Sequence, residues 1–120
     1  MPTRQFTFPK SRRLTRPAEF EDVKKNGQVH RGQLLVLGIL SVKDTNLFRA
    51  GFVTSRVLGR AAVRNRARRR LREIVRKHQR EIASGIWIVT IARASAAAAD
   101  FQQLEVEWLR LAKRASILSA

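Results

Sequence analysis

The sequence predicts an α+β fold, a single-domain α-β sandwich in which three helices pack on a small mixed sheet. Aliphatic segments typical of strands alternate along the chain with segments whose apolar residues recur every three or four positions, as in amphipathic helices. A length of 120 residues with 44% hydrophobic residues is sufficient for one compact core. The expected order of elements is helix, two or three strands, helix, strand, helix.

The first part of the chain predicts an arm followed by a short helix. Residues 1–15 are basic and interrupted by proline, which indicates an extended arm ahead of a domain that spans 16–120. A helix is expected from Pro17 to Lys25, because proline is favoured in the first helical turn and Gly27 suits the C-terminal cap.

Three aliphatic segments predict the strands. Residues 33–42 and 47–55 are separated by the turn-like sequence KDTN, which predicts an antiparallel hairpin, and a short strand is expected around Val29. Residues 86–92 are almost continuously apolar, which is typical of a strand at the centre of a sheet.

Two longer helices complete the expected fold. The first begins near Gly59, and one narrow stripe of it is predicted to pack on the sheet. The stripe follows steps of three and four: Val63, Ala67, Leu71, Ile74, Val75, His78 and Ile82. The last helix is predicted to start at Asp100, with Gln103 completing a capping box. Its apolar stripe is interpreted as core: Phe101, Leu104, Trp108, Leu111, Ala115 and Leu118.

The charge of the chain predicts a polyanionic partner. The 25 lysines and arginines against 9 acidic residues give a formal net charge of +16, which favours nucleic acid as that partner. The absence of cysteine from the sequence excludes disulfides and cysteine-ligated metal sites. Since no segment approaches the roughly 18 apolar residues of a membrane span, and none has the apolar core of a signal peptide, a cytoplasmic location is expected.

The basic residues are concentrated on the long helix. From Arg60 to Arg80 the sequence contains ten lysines and arginines and one carboxylate, Glu73. A merely solvated helix usually pairs opposite charges four residues apart, whereas here the neighbours repel. Arginine holds phosphate through two parallel hydrogen bonds and can stack on bases. The helix is therefore predicted to be an RNA-binding surface.

The sequence of this helix resembles a known motif. The stretch SRVLGRAAVRNRARRRLRE, from Ser55 to Glu73, resembles that of the bacterial ribonuclease P protein family, in which an Arg-Asn-Arg triplet opens a basic helix. The resemblance extends over nearly the whole chain, from FPKSRRL at Phe8 to Leu14 through the strands to the closing helix. It implies a left-handed crossover between parallel strands, against the general rule for such connections.

The resemblance implies that the protein assists an RNA catalyst. In this family a catalytic RNA removes the 5′ leader from precursor tRNA, and the protein binds both RNAs. The residues implied to contact the catalytic RNA are Arg56, Arg60, Arg64, Asn65, Arg66, Arg68, Arg69 and Arg72. The RNA-containing enzyme is expected to require magnesium, with no cofactor bound by the protein alone and one protein for each RNA.

The leader is implied to lie in a cleft between the first helix and the sheet. Phe20 would stack on its unpaired bases, with Arg12, Arg13 and Lys24 near its backbone. The ring of Phe20 is equally compatible with simple core packing beside Val23. The chain departs from the family pattern at Lys24, where an apolar or aromatic residue is common, and at Val57, where a basic residue is common.

No catalytic residue is expected in the protein itself. His30 and His78 have no evident partner in the sequence, and the acidic residues show neither the spacing of metal ligands nor the pairing of a protein nuclease. The alternative function is that of a structural ribosomal protein or RNA chaperone without a role in cleavage. A DNA-binding protein is disfavoured because the order of elements contains no helix-turn-helix.

Overall fold

The computed structural model describes residues 12–42 and 47–118. The elements in these ranges are helix α1 (Pro17–Asn26), strands β1 (Gln28–Arg31), β2 (Leu35–Ser41) and β3 (Arg49–Val53), helix α2 (Ala61–Lys77), strand β4 (Ile86–Ala92) and helix α3 (Phe101–Arg114). Short 3₁₀ turns lie at Arg56–Leu58, Gln79–Glu81 and Ala94–Ala98. The predicted α+β fold and its order of elements are confirmed.

The four strands form one mixed sheet in the order β1-β2-β4-β3. Strand β2 pairs antiparallel with both β1 and β4, whereas β3 pairs parallel with β4. The short strand predicted around Val29 and the central position predicted for residues 86–92 are both confirmed. Helix α2 provides the connection between the parallel strands, and the hand of this crossover stays a prediction.

The predicted hairpin between residues 33–42 and 47–55 is wrong. Strand β4 lies between β2 and β3, so these two strands are not neighbours. The physical reason lies in β4, whose side chains are largely apolar on both sides of the sheet and which gains a hydrogen-bonded neighbour along each edge in this position. The turn-like residues 43–46 lie outside the described ranges.

Alternate residues of β4 belong to two different hydrophobic clusters. Ile86 and Ile88 belong to the main core, which includes the buried faces of α2 and α3, while Trp87 and Val89 belong to a smaller cluster beneath α1. In the main core, the buried Trp108 Nε1 donates a hydrogen bond of 3.1 Å to Thr90 Oγ1. The sheet therefore separates a face covered by α2 and α3 from a face covered in part by α1.

Residues 12–15, here called the edge segment, lie along the outer edge of β3. Leu14 N donates a hydrogen bond of 2.8 Å to Ala50 O, and Arg13 forms a parallel bridge with Ala50. Leu14 is 4% exposed and joins Val23 and Val89 in the cluster beneath α1. The last residues of the sequence predicted as an arm therefore pack on the domain, and residues 1–11 lie outside the described ranges.

Helix α3 is capped as predicted and is tied to the end of α2. Asp100 accepts a hydrogen bond from Gln103 N, and the Gln103 side chain accepts one from Asp100 N, which completes the capping box. No partner of His78 was evident in the sequence, but its ring nitrogens lie 2.9 Å from Glu81 Oε2 and 2.8 Å from Glu105 Oε2. His78 therefore links the end of α2 to α3 through Glu105.

Candidate nucleic-acid interface

Helix α2 begins after a sharp turn and is anchored by one narrow apolar face. Gly59 adopts a φ of 118°, in the region that favours glycine, between the 3₁₀ turn and the helix. The buried residues of α2 are Ala67, Leu71, Ile74 and Val75, as the predicted stripe requires. The first turn contains no acidic residue and no capping side chain, so the positive end of the helix dipole adds to the charge of the arginines.

The basic side chains of α2 and of the residues just ahead of it, together with Asn65, divide into two sets. Three of them interact within the protein: Arg70 donates to Ala99 O at 2.9 Å, Arg76 forms an ion pair with Glu73, and Lys77 lies 2.9 Å from Glu105. A second set makes no side-chain hydrogen bond or ion pair with any residue that the structure describes. It consists of Arg56 and Arg60 ahead of the helix, and of Arg64, Asn65, Arg66, Arg68, Arg69 and Arg72 within it.

Part of this second set lies together at the protein surface. Asn65, Arg68, Arg69 and Arg72 line a shallow depression of about 430 Å³ together with Ala62. The Nε atoms of Arg64 and Arg72 are buried but have no hydrogen-bond partner in the described part of the chain. Because the guanidinium groups of this surface have no acceptor in the described part of the chain, the surface favours a ligand rich in oxygen acceptors.

The pKa of Arg72 indicates how crowded this surface is. Partial burial lowers the pKa of Arg72 below its ordinary value, and the positive charges of Arg13 and Arg68 lower it further. Such like-charge crowding is unfavourable in the free protein and is relieved when an anion binds among the guanidinium groups.

A second candidate surface lies on the other face of the sheet. Helix α1 covers this face incompletely and leaves a cleft of about 460 Å³ between itself and the strands. The apolar lining includes Val29 and Ile91, which are 44% and 36% exposed, and the cations that line it are Lys24 and Arg31. An exposed apolar groove with cations beside it suits single-stranded nucleic acid.

Phe20 both packs on the sheet and lines the cleft. A Cβ atom built at Gly51 would lie only 2.6 Å from the ring, so the ring rests directly on the β3 backbone. The ring also packs against the buried cluster that contains Leu14 and Val23, while one part of it remains accessible to the cleft. The two interpretations of Phe20, core packing and base stacking, are therefore compatible.

The residues that the resemblance implies for the leader are not all in one place. Lys24 lines the cleft beside Phe20, whereas Arg12 and Arg13, both described, do not line it. The guanidinium of Arg12 lies over the Phe48 ring, 4.8 Å from its centroid, and Arg13 lies close enough to Arg72 to lower its pKa. How these residues act on RNA stays a prediction.

Arg31 is a cleft residue that sequence reasoning missed. It ends β1, and its position in the cleft depends on the pairing of β1 with β2. The sequence near Val29 indicates a strand but not which helix packs beside it. Val57, the other departure from the family pattern, is 63% exposed next to Arg56.

Within residues 12–42 and 47–118, no helix has the length and hydropathy needed to cross a membrane. The same residues contain no group of three or more histidine or acidic side chains arranged to hold a metal ion.

The fold and the two surfaces define a basic, RNA-binding α+β protein. The sequence matches the family model of ribonuclease P over residues 8–116. It is 42% identical over 109 residues to the ribonuclease P protein component of Acidothermus cellulolyticus, covering 89% of this chain and 90% of that protein. It is 35% identical over 111 residues to that of Chloroflexus aggregans, covering 92% and 82%.

Solved structures show the same relationship. The ribonuclease P protein of Staphylococcus aureus superimposes with a TM-score of 0.86 at 27% identity, covering 92% of this chain and 100% of that one. The protein from Thermotoga maritima gives a TM-score of 0.77 at 29% identity, covering 85% and 96%. The chain belongs to the ribonuclease P protein family, whose role is maturation of the 5′ end of tRNA.

Proposed function

We propose that this chain is the protein subunit of ribonuclease P, holding the catalytic RNA on α2 and the 5′ leader of precursor tRNA in the cleft beneath α1. One observation carries the proposal. The α2 cations without a partner among the described residues are the ones that the resemblance implies contact the catalytic RNA. The α2 cations that are not among those residues, such as Arg70 and Arg76, interact within the protein.

The α2 surface suits the backbone of a structured RNA. Its arginines extend from Arg56 to Arg72 along one side of the domain, and each guanidinium can hold a phosphate through two hydrogen bonds. Such contacts release counterions, so the affinity should fall steeply as the salt concentration rises. Asn65 adds an amide that can bond to a base edge or a 2′-hydroxyl.

The cleft suits a single strand of variable sequence. Stacking on an aromatic ring contributes roughly 1–3 kcal/mol for each base regardless of its identity. Apolar residues such as Val53 and Ile91 extend the surface that Phe20 presents, and Lys24 and Arg31 are placed to contact phosphates. A cleft of this kind binds many leader sequences and distinguishes precursor from mature tRNA by the presence of the leader.

In this proposal the RNA performs the cleavage and the protein supplies no catalytic group. Three buried or half-buried carboxylates have structural partners. Glu19 pairs with Arg49, Glu105 pairs with Lys77, and Glu107 accepts a hydrogen bond from the backbone of β2. The holoenzyme would require magnesium, with no cofactor bound by the protein alone. It would contain one protein for each RNA and act in the cytoplasm.

Reconstitution tests the proposal directly. The protein is combined with bacterial ribonuclease P RNA at low magnesium, and cleavage of precursor tRNA is followed by mapping the 5′ end of the product. We expect faster cleavage at the correct site than with the RNA alone. A protein that binds the RNA without accelerating correct cleavage would instead be a ribosomal protein or an RNA chaperone.

A further inference from the structure

The edge segment places Arg13 on the same side of the sheet as α2. Side chains alternate between the two faces of extended backbone that pairs with a strand. Leu14 points into the cluster beneath α1, and its neighbour Arg13 bridges to Ala50. Arg13 is therefore directed toward α2 and away from the cleft that contains Phe20.

On that side, Arg13 lies near enough to Arg72 of α2 for its charge to act on it. Arg68 and Arg72 are one helical turn apart, so their side chains share one face of α2 and line the depression described above. The Nε atom of Arg72 is buried without a hydrogen-bond partner among the described residues. The proximity of the three groups also appears in the lowered pKa of Arg72, which burial causes first and the charges of Arg13 and Arg68 increase.

The backbone at Arg13 is held firmly in place. Arg49 Nη2 donates a hydrogen bond of 2.7 Å to Arg13 O, and Arg49 Nη1 lies 2.7 Å from Glu19 Oε2. The hydrogen bond from Leu14 N to Ala50 O fixes the next residue. These contacts fix the backbone at Arg13, so little backbone freedom is lost there when a ligand binds.

We propose that Arg13, Arg68 and Arg72 together bind one backbone phosphate of the catalytic RNA. Arginines from two separate elements lie on the same side of the sheet, Arg13 on the edge segment and Arg68 and Arg72 at the depression on α2. A phosphate supplies both the negative charge and the acceptor oxygens that guanidinium groups bind. The inference rests on the proposed function and assigns Arg13 to the catalytic-RNA surface instead of the leader cleft, which lies on the other face of the sheet.

A double-mutant cycle tests whether the three arginines share a phosphate. The affinity for ribonuclease P RNA is measured for Arg13→Ala, Arg72→Ala and the double variant at constant salt. We expect each single variant to lose roughly tenfold in affinity, as for a lost charge-assisted hydrogen bond, and the double variant to lose little more than either. The matched cycle of Arg13→Ala with Arg66→Ala should instead show independent losses that multiply. Multiplying losses for Arg13 and Arg72 would overturn the shared site.

A second measurement distinguishes whether the phosphate that Arg13 binds belongs to the catalytic RNA or to the leader. Arg13→Ala should leave the preference of the holoenzyme for precursor over mature tRNA unchanged, whereas Lys24→Ala should reduce it. A reduced preference with unchanged affinity for the catalytic RNA would place Arg13 on the leader. If Arg13→Ala weakened the binding of inorganic phosphate but left the affinity for both RNAs unchanged, the site would be a general anion site. Both results contradict the inference.

The result is distinguishable from failure of the proposed function. If the wild-type protein does not accelerate cleavage by the RNA, the function itself is wrong. If the wild-type protein does accelerate cleavage but the affinity losses of Arg13→Ala and Arg72→Ala multiply, only the shared phosphate site is wrong. Circular dichroism confirms that each variant is folded, and Arg13→Gln replaces Arg13→Ala if the alanine variant does not fold.

Discussion

Gly51 shows how a single residue positions a functional side chain. Its hydrogen in place of a side chain leaves room for the Phe20 ring, because a Cβ atom there would lie 2.6 Å from the ring and 3.1 Å from Leu14 Cβ. Gly51→Ala should therefore displace the ring from its position beside the cleft and destabilise the fold by about 1–3 kcal/mol. Chemical denaturation measures the stability, and competition between precursor and mature tRNA measures the loss of leader preference. A variant with native stability and native preference would show that the ring does not need this space.

Phe20→Leu tests the ring itself. Leucine keeps an apolar side chain against Leu14 and Val23 but removes the aromatic surface available for stacking. We expect a folded protein whose preference for precursor over mature tRNA is reduced by about fivefold to a hundredfold, the equivalent of one lost stacking contact. The same competition assay provides the readout. An unchanged preference would assign Phe20 to the core alone.

Glu107 illustrates a buried charge with a structural role. The side chain is 6% exposed and accepts hydrogen bonds from Leu34 N and Leu35 N, which ties α3 to the start of β2. Glu107→Ala leaves both backbone donors without their acceptor, so the free energy of unfolding should fall by about 2–3 kcal/mol. The exposed Gln102 on the same helix provides the control, because Gln102→Ala should change the stability far less. Equal effects of the two variants would contradict this role.

At the scale of the helix, the two sets of α2 cations should behave differently. Arg64→Ala and Arg66→Ala each remove a guanidinium without an internal partner in the described ranges, whereas Arg76→Ala removes one that is paired with Glu73. The first two variants should weaken binding of the catalytic RNA, and each lost phosphate contact should reduce the slope of log affinity against log salt by roughly one. Titrations at several salt concentrations give this slope. If Arg76→Ala reduced the salt slope as much as the other two variants, the division of the α2 cations into two sets would be wrong.

The junction between α2 and α3 should depend on pH. The hydrogen bond from Lys77 is the main reason that the pKa of Glu105 is lowered, and the hydrogen bond from His78 contributes in the same direction against the opposing effect of burial. A lowered folded-state pKa means that the stabilisation is present above the unfolded value near 4.5 and is lost as the pH falls through the folded value. Glu105→Gln should therefore be less stable than wild type by about 1–2 kcal/mol at neutral pH. Unfolding curves from pH 7 to pH 3 should show the difference narrowing below pH 4.5, and a difference that stays constant would exclude this ionisation as its source.

The elements themselves were largely predictable, and the error concerns how they pair. The stripes of α2 and α3, the cap at Asp100 and the continuous apolar run of β4 are local patterns, and each has the predicted structure. The hairpin prediction was wrong because consecutive strands with a turn between them usually pair. No local sequence pattern indicates that a later strand lies between them. Pairing of β4 with both β2 and β3 is a property of the sheet.

At the scale of the whole molecule, one sheet separates two candidate RNA surfaces. The α2 surface was predictable because its residues are contiguous in one motif. The resemblance implied the place of the cleft between the first helix and the sheet. Most of its lining was not predictable, because it comes from α1 and from all four strands, as Arg31, Val53 and Ile91 show. Arg13 follows the same rule, since only its pairing with Ala50 reveals which side of the sheet it faces. Residues assembled from distant parts of the chain require the topology, whereas residues on one helix require only its period.

The net charge of +16 implies a conflict between the stability of the free protein and its binding of RNA. Arg72 is crowded by Arg13 and Arg68, so Arg72→Gln should raise the free energy of unfolding of the free protein by a few tenths to about 1 kcal/mol at low salt while weakening RNA binding. Salt screens the repulsion, so the gain should shrink as sodium chloride is added. Arg76→Gln is the control: it breaks the ion pair with Glu73 and should lower the stability instead. Thermal unfolding of both variants over a range of salt concentrations decides the matter. A loss of stability in Arg72→Gln at low salt would mean that packing of the Arg72 side chain outweighs the repulsion it experiences.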